Sequence, residues 1–151
     1  MNVKGQESAT FELLVVAVMG LAILVIVLGI SNYFSSRTME ASERNFNDAL
    51  KSAVNSPNGA VIVAEDIILS GGSKTSSSLS KQVSIPENCI RIQGSASDSW
   101  SVNAGGTAIS ISRAIQTNVY FSCALGDGHI SGSGEACEIS CLASFGEEIT
   151  P

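Results

Sequence analysis

The sequence predicts an α+β protein, in which a long N-terminal helix precedes a small antiparallel β-sheet head. Three observations predict this fold class. Residues Leu13–Ile30 contain no charged side chain, apolar residues alternate with a period of two after about residue 80, and all four cysteines lie in that later part. We therefore divide the chain into a helix over 6–56, a linker region with a Gly/Ser loop over 57–80, and a β-rich head over 81–151.

The composition excludes several classes of protein. The 151 residues include 14 Asp and Glu against 8 Lys and Arg, which gives a net charge of −6. This balance argues against a nucleic-acid partner, because phosphate binding requires clustered cations. Charged residues make up only 15% of the chain, against a usual ~25%, because one long stretch has none. A soluble cytoplasmic enzyme is disfavoured.

The apolar segment 13–30 has the length of a membrane span. As a helix, its eighteen residues would extend about 27 Å, close to the hydrocarbon thickness of a bilayer. Lys4 precedes it, which places the N-terminus inside and the rest outside. Two alternatives are a helix buried in a core, which so small a remainder would hardly cover, and a secretory signal peptide removed near Gly29.

The helix is expected to continue beyond the apolar segment as an amphipathic helix. Apolar residues recur there at helical spacing, which indicates one buried face; they are Phe46, Ala49, Leu50, Ala53 and Val54. The run Ser56-Pro57-Asn58-Gly59 carries the turn residues that end a helix.

The remainder of the chain indicates short strands. Ala60–Leu69 could be a strand or a short helix, and Gly71–Ser78 reads as a flexible loop. Beyond it, pairs of apolar residues two positions apart favour an antiparallel sheet of about five strands. These pairs are Val83/Ile85, Ile90/Ile92, Trp100/Val102, Ile109/Ile111, Val119/Phe121 and Ile139 with its flanking cysteines.

The four cysteines, Cys89, Cys123, Cys137 and Cys141, predict two disulfides in an exported head. A single strand would separate Cys137 and Cys141 by about 13 Å, too far for a bond. A hairpin pairing 120–125 with 136–142 would place Cys123 opposite Cys137. We therefore predict the bonds Cys123–Cys137 and Cys89–Cys141.

No metal site, cofactor or catalytic residue is predicted. Cys123, His129, Cys137 and Cys141 match no common zinc-finger spacing. The stretch Asp127–Glu138 partly fits a calcium-loop pattern, but His129 stands where an oxygen ligand belongs, so we favour a solvated Gly-Ser hairpin loop. Nothing positions Cys123, His129 and Asp127 for nucleophilic chemistry, and we expect no enzyme.

The N-terminal residues carry a family resemblance. Lys4-Gly5-Gln6-Glu7-Ser8, followed by Phe11-Glu12-Leu13-Leu14 and the apolar run, resembles the class III signal peptide of archaeal type IV-like pilins. The resemblance covers about thirty residues. It departs from the family at Thr10, where a glutamate is usual, while an acid stands at Glu12.

The resemblance implies a structural subunit of a surface filament. A prepilin peptidase would remove the leader 1–5 by cutting between Gly5 and Gln6, and the apolar helix would remain on the mature protein. The subunit would wait as a single-pass membrane protein, N-in and C-out, and then join copies of itself or other pilins in an extracellular filament. Adhesion is the expected role, for a major or a minor pilin.

Assembly is expected to depend on the helix. Small residues, which allow close approach of helices, lie in the apolar half at Ala17, Gly20, Ala22 and Gly29. Glu7 or Glu12 could pair with the new amino terminus of a neighbour, or could simply favour the helix N-terminus. The alternative function is a single-span anchored extracellular binding module that does not polymerise.

Overall fold

The N-terminal third of the chain is helical. The computed structural model describes residues 4–128 and 137–150, with side chains from residue 11 onwards. Contacts divide the chain into two units, Met1–Thr38 and Met39–Pro151. The helix α1 spans Lys4–Asn55, so the predicted helix and its end before Pro57 are confirmed.

The described part of the second unit adds seven strands and a short helix to the end of α1. In chain order these are β1 (Asn58–Leu69), β2 (Gly72–Thr75), α2 (Ser76–Val83), β3 (Ile90–Gly94), β4 (Trp100–Val102), β5 (Ala108–Ile111), β6 (Ile115–Leu125) and β7 (Ile139–Phe145). The α+β class, a long apolar helix followed by a small β-sheet region, is therefore confirmed.

The strands form two sheets. The larger has the order β1-β6-β7-β3, and the smaller the order β2-β5-β4. Antiparallel pairing joins β1 to β6 and β6 to β7, whereas β3 runs parallel to β7, with Ile90 opposite Cys141. The sheet region is thus mixed, and it includes one pairing that the alternation of apolar residues does not reveal.

The core lies between the second half of α1 and the larger sheet. Phe46, at 2% exposure, packs edge-on against Phe121, with ring centroids 5.1 Å apart, and lies 6.2 Å from Phe145. Leu50 and Ala53 on the same helical face are also buried. The amphipathic pattern therefore identified the buried face of the helix correctly.

A polar contact joins α1 to the edge of the larger sheet. The Ile68 N–H of the edge strand β1 donates to Ser42 Oγ at 3.1 Å. Ser42 is itself buried, and an edge N–H that found no partner there would cost free energy. The helix thus satisfies part of the sheet edge as well as covering its face.

The stretch 57–80, predicted as a linker, contributes structure to both sheets. Ala60–Leu69 lies within β1, the longest strand described, which pairs along β6. The predicted flexible loop Gly71–Ser78 contains β2 and the start of α2. The β-rich head therefore begins before residue 81.

Local hydrogen bonds explain why the serine-rich stretch is helical. Thr75 caps α2: its Oγ1 accepts from Ser78 N–H, and Ser78 Oγ accepts from Thr75 N–H. This reciprocal arrangement satisfies two N–H groups at the helix start, and Leu79 is then fully buried in the core. The apolar alternation at Val83 and Ile85 predicted a strand there, but Val83 is the last residue of α2.

Gly94 lies in close contact with Trp100 and with strand β7. A Cβ at Gly94 would lie 2.6 Å from the Phe145 carbonyl oxygen and 2.7 Å from the Trp100 ring. We expect Gly94→Ala to lower the free energy of unfolding by about 2–3 kcal/mol through overpacking, measured by chemical denaturation. Gly71→Ala is the matched control, since its nearest atom would be 3.6 Å away. Equal losses in the two variants would contradict the packing.

Candidate functional site

The first unit exposes a continuous apolar surface. Sixteen large apolar side chains between Phe11 and Phe34 are each more than half exposed, from 51% for Ile30 to 72% for Leu13. The most apolar window of the helix has no buried residue, and the helix is long and apolar enough to cross a membrane. Because soluble proteins rarely expose apolar patches of this size, lipid or other protein chains must cover it.

The C-terminal end of this surface carries an aromatic and cationic collar, made of Tyr33, Phe34 and Arg37. The rings of Tyr33 and Phe34 meet edge-on, with centroids 6.1 Å apart. The guanidinium carbon of Arg37 lies 5.3 Å from the centre of the Tyr33 ring. Tyr and cationic side chains are typical of the level at which a membrane span meets the headgroups. The sequence pattern above did not predict this collar, although aromatic residues and a cation directly follow the apolar run.

Hydroxyl groups near the collar are satisfied within the helix. Ser36 Oγ donates to the Asn32 carbonyl oxygen at 3.1 Å, and Thr38 Oγ1 donates to the Phe34 carbonyl oxygen at 2.8 Å. Such bonds to the preceding turn are a common way to place serine and threonine in apolar surroundings. The uncharged stretch extends from Leu13 to Ser36, and the hydroxyl of its last residue is thus paired within the helix.

The small residues predicted for assembly lie on two faces. At about 100° per residue, Ala17 and Gly20 share one face, while Ala22 and Gly29, seven positions apart, share another. A Cβ at Gly20 or Gly29 would meet no atom within 4 Å. Both faces are thus open to a neighbouring helix, and no single stripe joins all four residues.

The predicted processing and charged residues all lie on α1. Gly5, Gln6 and Glu7 are helical in backbone, and their side chains lie outside the described ones. Glu12 is exposed at the start of the apolar surface. Their roles in cleavage and assembly stay predictions.

The head contains two disulfides, as predicted, but with a different pairing. Cys89 bonds to Cys137, and Cys123 bonds to Cys141. The predicted pairs Cys123–Cys137 and Cys89–Cys141 are wrong, because the β6–β7 register places Cys123 opposite Cys141. Cys137 lies before the first residue of β7, where it meets Cys89 at the end of the short 3-10 turn Glu87–Cys89.

The disulfides and the loop between β6 and β7 bear on the metal hypotheses. All four cysteines are bonded, so the zinc alternative loses its thiolate ligands. Most of the Asp127–Glu138 loop, with His129, lies outside the described residues. Asp127 Oδ1 accepts from the Cys137 N–H at 2.9 Å, and this bond closes the base of the loop. Among the described residues, no group of His, Cys, Asp and Glu could hold a metal ion.

The described head has shallow clefts. One cleft, of about 270 Å³, lies between residues 39–43 of α1 and the edges of β1 and β2. Lys74 Nζ lies 3.1 Å from Glu43 Oε1 on its wall and 5.9 Å from the centre of the Phe46 ring. An exposed pair of this kind contributes up to about 1 kcal/mol. It holds β2 against the helix rather than presenting reactive groups.

No protein-family model, no curated protein and no solved structure matches the chain. Two features of the molecule indicate its function, the exposed apolar helix and the disulfide-bonded head. Together they fit a membrane-anchored extracellular module, of which a pilin-like subunit is one kind.

Proposed function

We propose that this protein is a pilin-like structural subunit of an archaeal type IV-like surface filament. A prepilin peptidase cuts it between Gly5 and Gln6, the apolar helix holds it in the membrane, and the same helix then packs with other copies in the filament. The head faces outwards, for adhesion. The protein has no catalytic role in this proposal.

The observation that carries the proposal is the apolar surface from Phe11 to Phe34. It is exposed on every side of α1, so a single neighbour along one face would leave most of it uncovered. Lipid covers all sides of a lone helix, and a bundle of identical helices does the same in water. A helix that moves from lipid into such a bundle must be apolar on all sides.

The second half of α1 supports the same function. Phe46 and Leu50 are buried in the core of the head, so the head is built on the helix whose first part is apolar. Two disulfides in the head fit an oxidising, extracellular location. The residues Lys4-Gly5-Gln6, directly before the acidic and apolar positions, supply the expected cleavage site.

The test is the N-terminus and intact mass of protein recovered from the native cell surface, together with electron microscopy. We expect filaments whose subunits begin at Gln6 and retain both disulfides. Gly5→Leu should leave the chain uncut in the membrane and abolish filaments, because the peptidase would no longer accept the site. Ala9→Ser is the control, since it lies after the cut and outside the residues that carry the resemblance.

The alternative, an anchored binding module, gives a different result. Protein beginning at Met1, displayed on the cell without filaments and unaffected by Gly5→Leu, would contradict the pilin proposal. Protein beginning near Ile30 would indicate a secreted head and would contradict both.

A further inference from the structure

Two opposite charges bracket the uncharged part of the helix. Glu12 is the last acid before it, and Arg37 is the first cationic side chain after Lys4. Both are exposed. Every residue between them is uncharged at pH 7, so neither charge has an opposite partner nearby along the apolar segment.

Glu12 and Arg37 lie on the same helical face. They are 25 positions apart, which is within about 20° of seven full turns, at an axial distance of about 37 Å. Within one helix, therefore, they cannot pair. The face between them presents Val15, Met19 and Ile26, an apolar surface suited to a neighbouring helix.

Arg37 is positioned but not neutralised. Its guanidinium lies over the Tyr33 ring, one turn earlier on this face, and such a contact orients the group while leaving its charge intact. Over the described side chains, no carboxylate forms an ion pair with Arg37. It is thus available to an acid from another chain.

The charge count of a cut chain favours such a partner. This step rests on the proposed function. A chain beginning at Gln6 has one ammonium group and two carboxylates, Glu7 and Glu12, before the apolar segment. The ammonium can neutralise one of the two acids. In a bundle of apolar helices the other would be buried unpaired, which is strongly unfavourable.

We infer that Glu12 of one copy pairs with Arg37 of a second copy of this chain in the filament. The second copy is parallel and shifted by about 37 Å along the axis. At smaller shifts, Glu12 would face the uncharged segment of its neighbour, and at no shift it would face another Glu12. The pair thus sets one of the axial shifts between subunits, while neighbours at other shifts cover the apolar surface.

Cross-linking in wild-type filaments tests the contact. Glu12→Cys and Arg37→Cys are expressed as minority subunits beside excess wild-type protein, and purified filaments are treated with a short bismaleimide. The head cysteines do not interfere, because all four are in disulfides. We expect a dimer joining one variant to the other. In the control, Ser35→Cys replaces Arg37→Cys; Ser35 lies on the opposite face and should give no dimer.

Charge reversal provides an independent readout. Glu12→Lys and Arg37→Glu should each lower filament yield by about tenfold or more at an unchanged membrane level of subunit, because like charges then meet. The double variant should restore filaments, and Lys51→Glu, at an exposed site farther along the helix, should leave the yield unchanged.

The failures of the two proposals are distinguishable. If filaments form but the Glu12→Cys and Arg37→Cys variants give no cross-linked dimer, the pairing is overturned and the filament function stands. The same holds if Glu12→Lys and Arg37→Glu each give the full filament yield. A wild-type chain that forms no filaments and stays uncut at Gly5 would overturn both.

Discussion

Replacing both Cys89 and Cys137 by alanine is expected to lower the free energy of unfolding of the head by about 4 kcal/mol. The bond closes a loop of 48 residues, and the chain entropy that it removes from the unfolded state corresponds to about that value. Domains of this size are stable by about 5–15 kcal/mol in total. The variant is therefore expected to lose a large part of its stability.

The second disulfide is the internal comparison. Cys123 and Cys141 are separated by 18 residues, which predicts a smaller loss of about 3 kcal/mol for the double alanine variant. All four cysteines are buried, so the packing losses are similar. Denaturant unfolding of the detergent-solubilised chains under non-reducing conditions measures both. A larger loss for the 18-residue loop would contradict the entropic argument.

The disulfide pairing could not be predicted from the sequence, because it depends on the register between two strands. The hairpin of β6 with β7 was expected, but its register was placed four residues away, with Cys123 opposite Cys137 instead of Cys141. A slip by an even number of residues keeps every side chain on its face of the sheet. The alternation of apolar residues therefore cannot distinguish the two registers, and the pairing that depends on the register was lost.

Long-range pairing also limited the prediction of the fold. The strands at Ile90, Trp100, Ile109 and Val119 were predicted from local alternation. The parallel partner of β3 is β7, about fifty residues later, and local patterns do not encode such a choice. Ala60–Leu69, placed in the linker, was predicted as a strand or a short helix, and the structure makes it part of the strand β1. Its partner β6 also lies far away in sequence, so the local pattern left the two alternatives open.

The apolar helix was the easiest feature to predict. Its signal is a continuous run of residues, so neither a register nor a distant partner is needed to recognise it. The collar at Tyr33 and Arg37 depends on contacts one turn apart, which helical spacing alone could have indicated. Features local to one helix were thus accessible from the sequence, and features that depend on the sheet were not.

Phe46→Ala is expected to destabilise the head by about 3–5 kcal/mol. The ring is 2% exposed and packs against Phe121 and Phe145. Its removal therefore loses buried apolar area and two aromatic contacts, and it leaves a cavity. Denaturant unfolding, followed by the fluorescence of Trp100, measures the loss. Trp100 suits this purpose because it lies 6.2 Å from Phe145, in the same core.

Phe34→Ala is the matched control, because it makes the same change twelve positions earlier on the same helix. Phe34 is 63% exposed, so its replacement should leave the unfolding of the head unchanged within about 0.5 kcal/mol. A loss below about 1 kcal/mol for Phe46→Ala would contradict the burial of this ring. The expected contrast would instead separate the two halves of one helix, since the first half exposes its aromatic rings for lipid or neighbouring chains and the second half buries them to build the head.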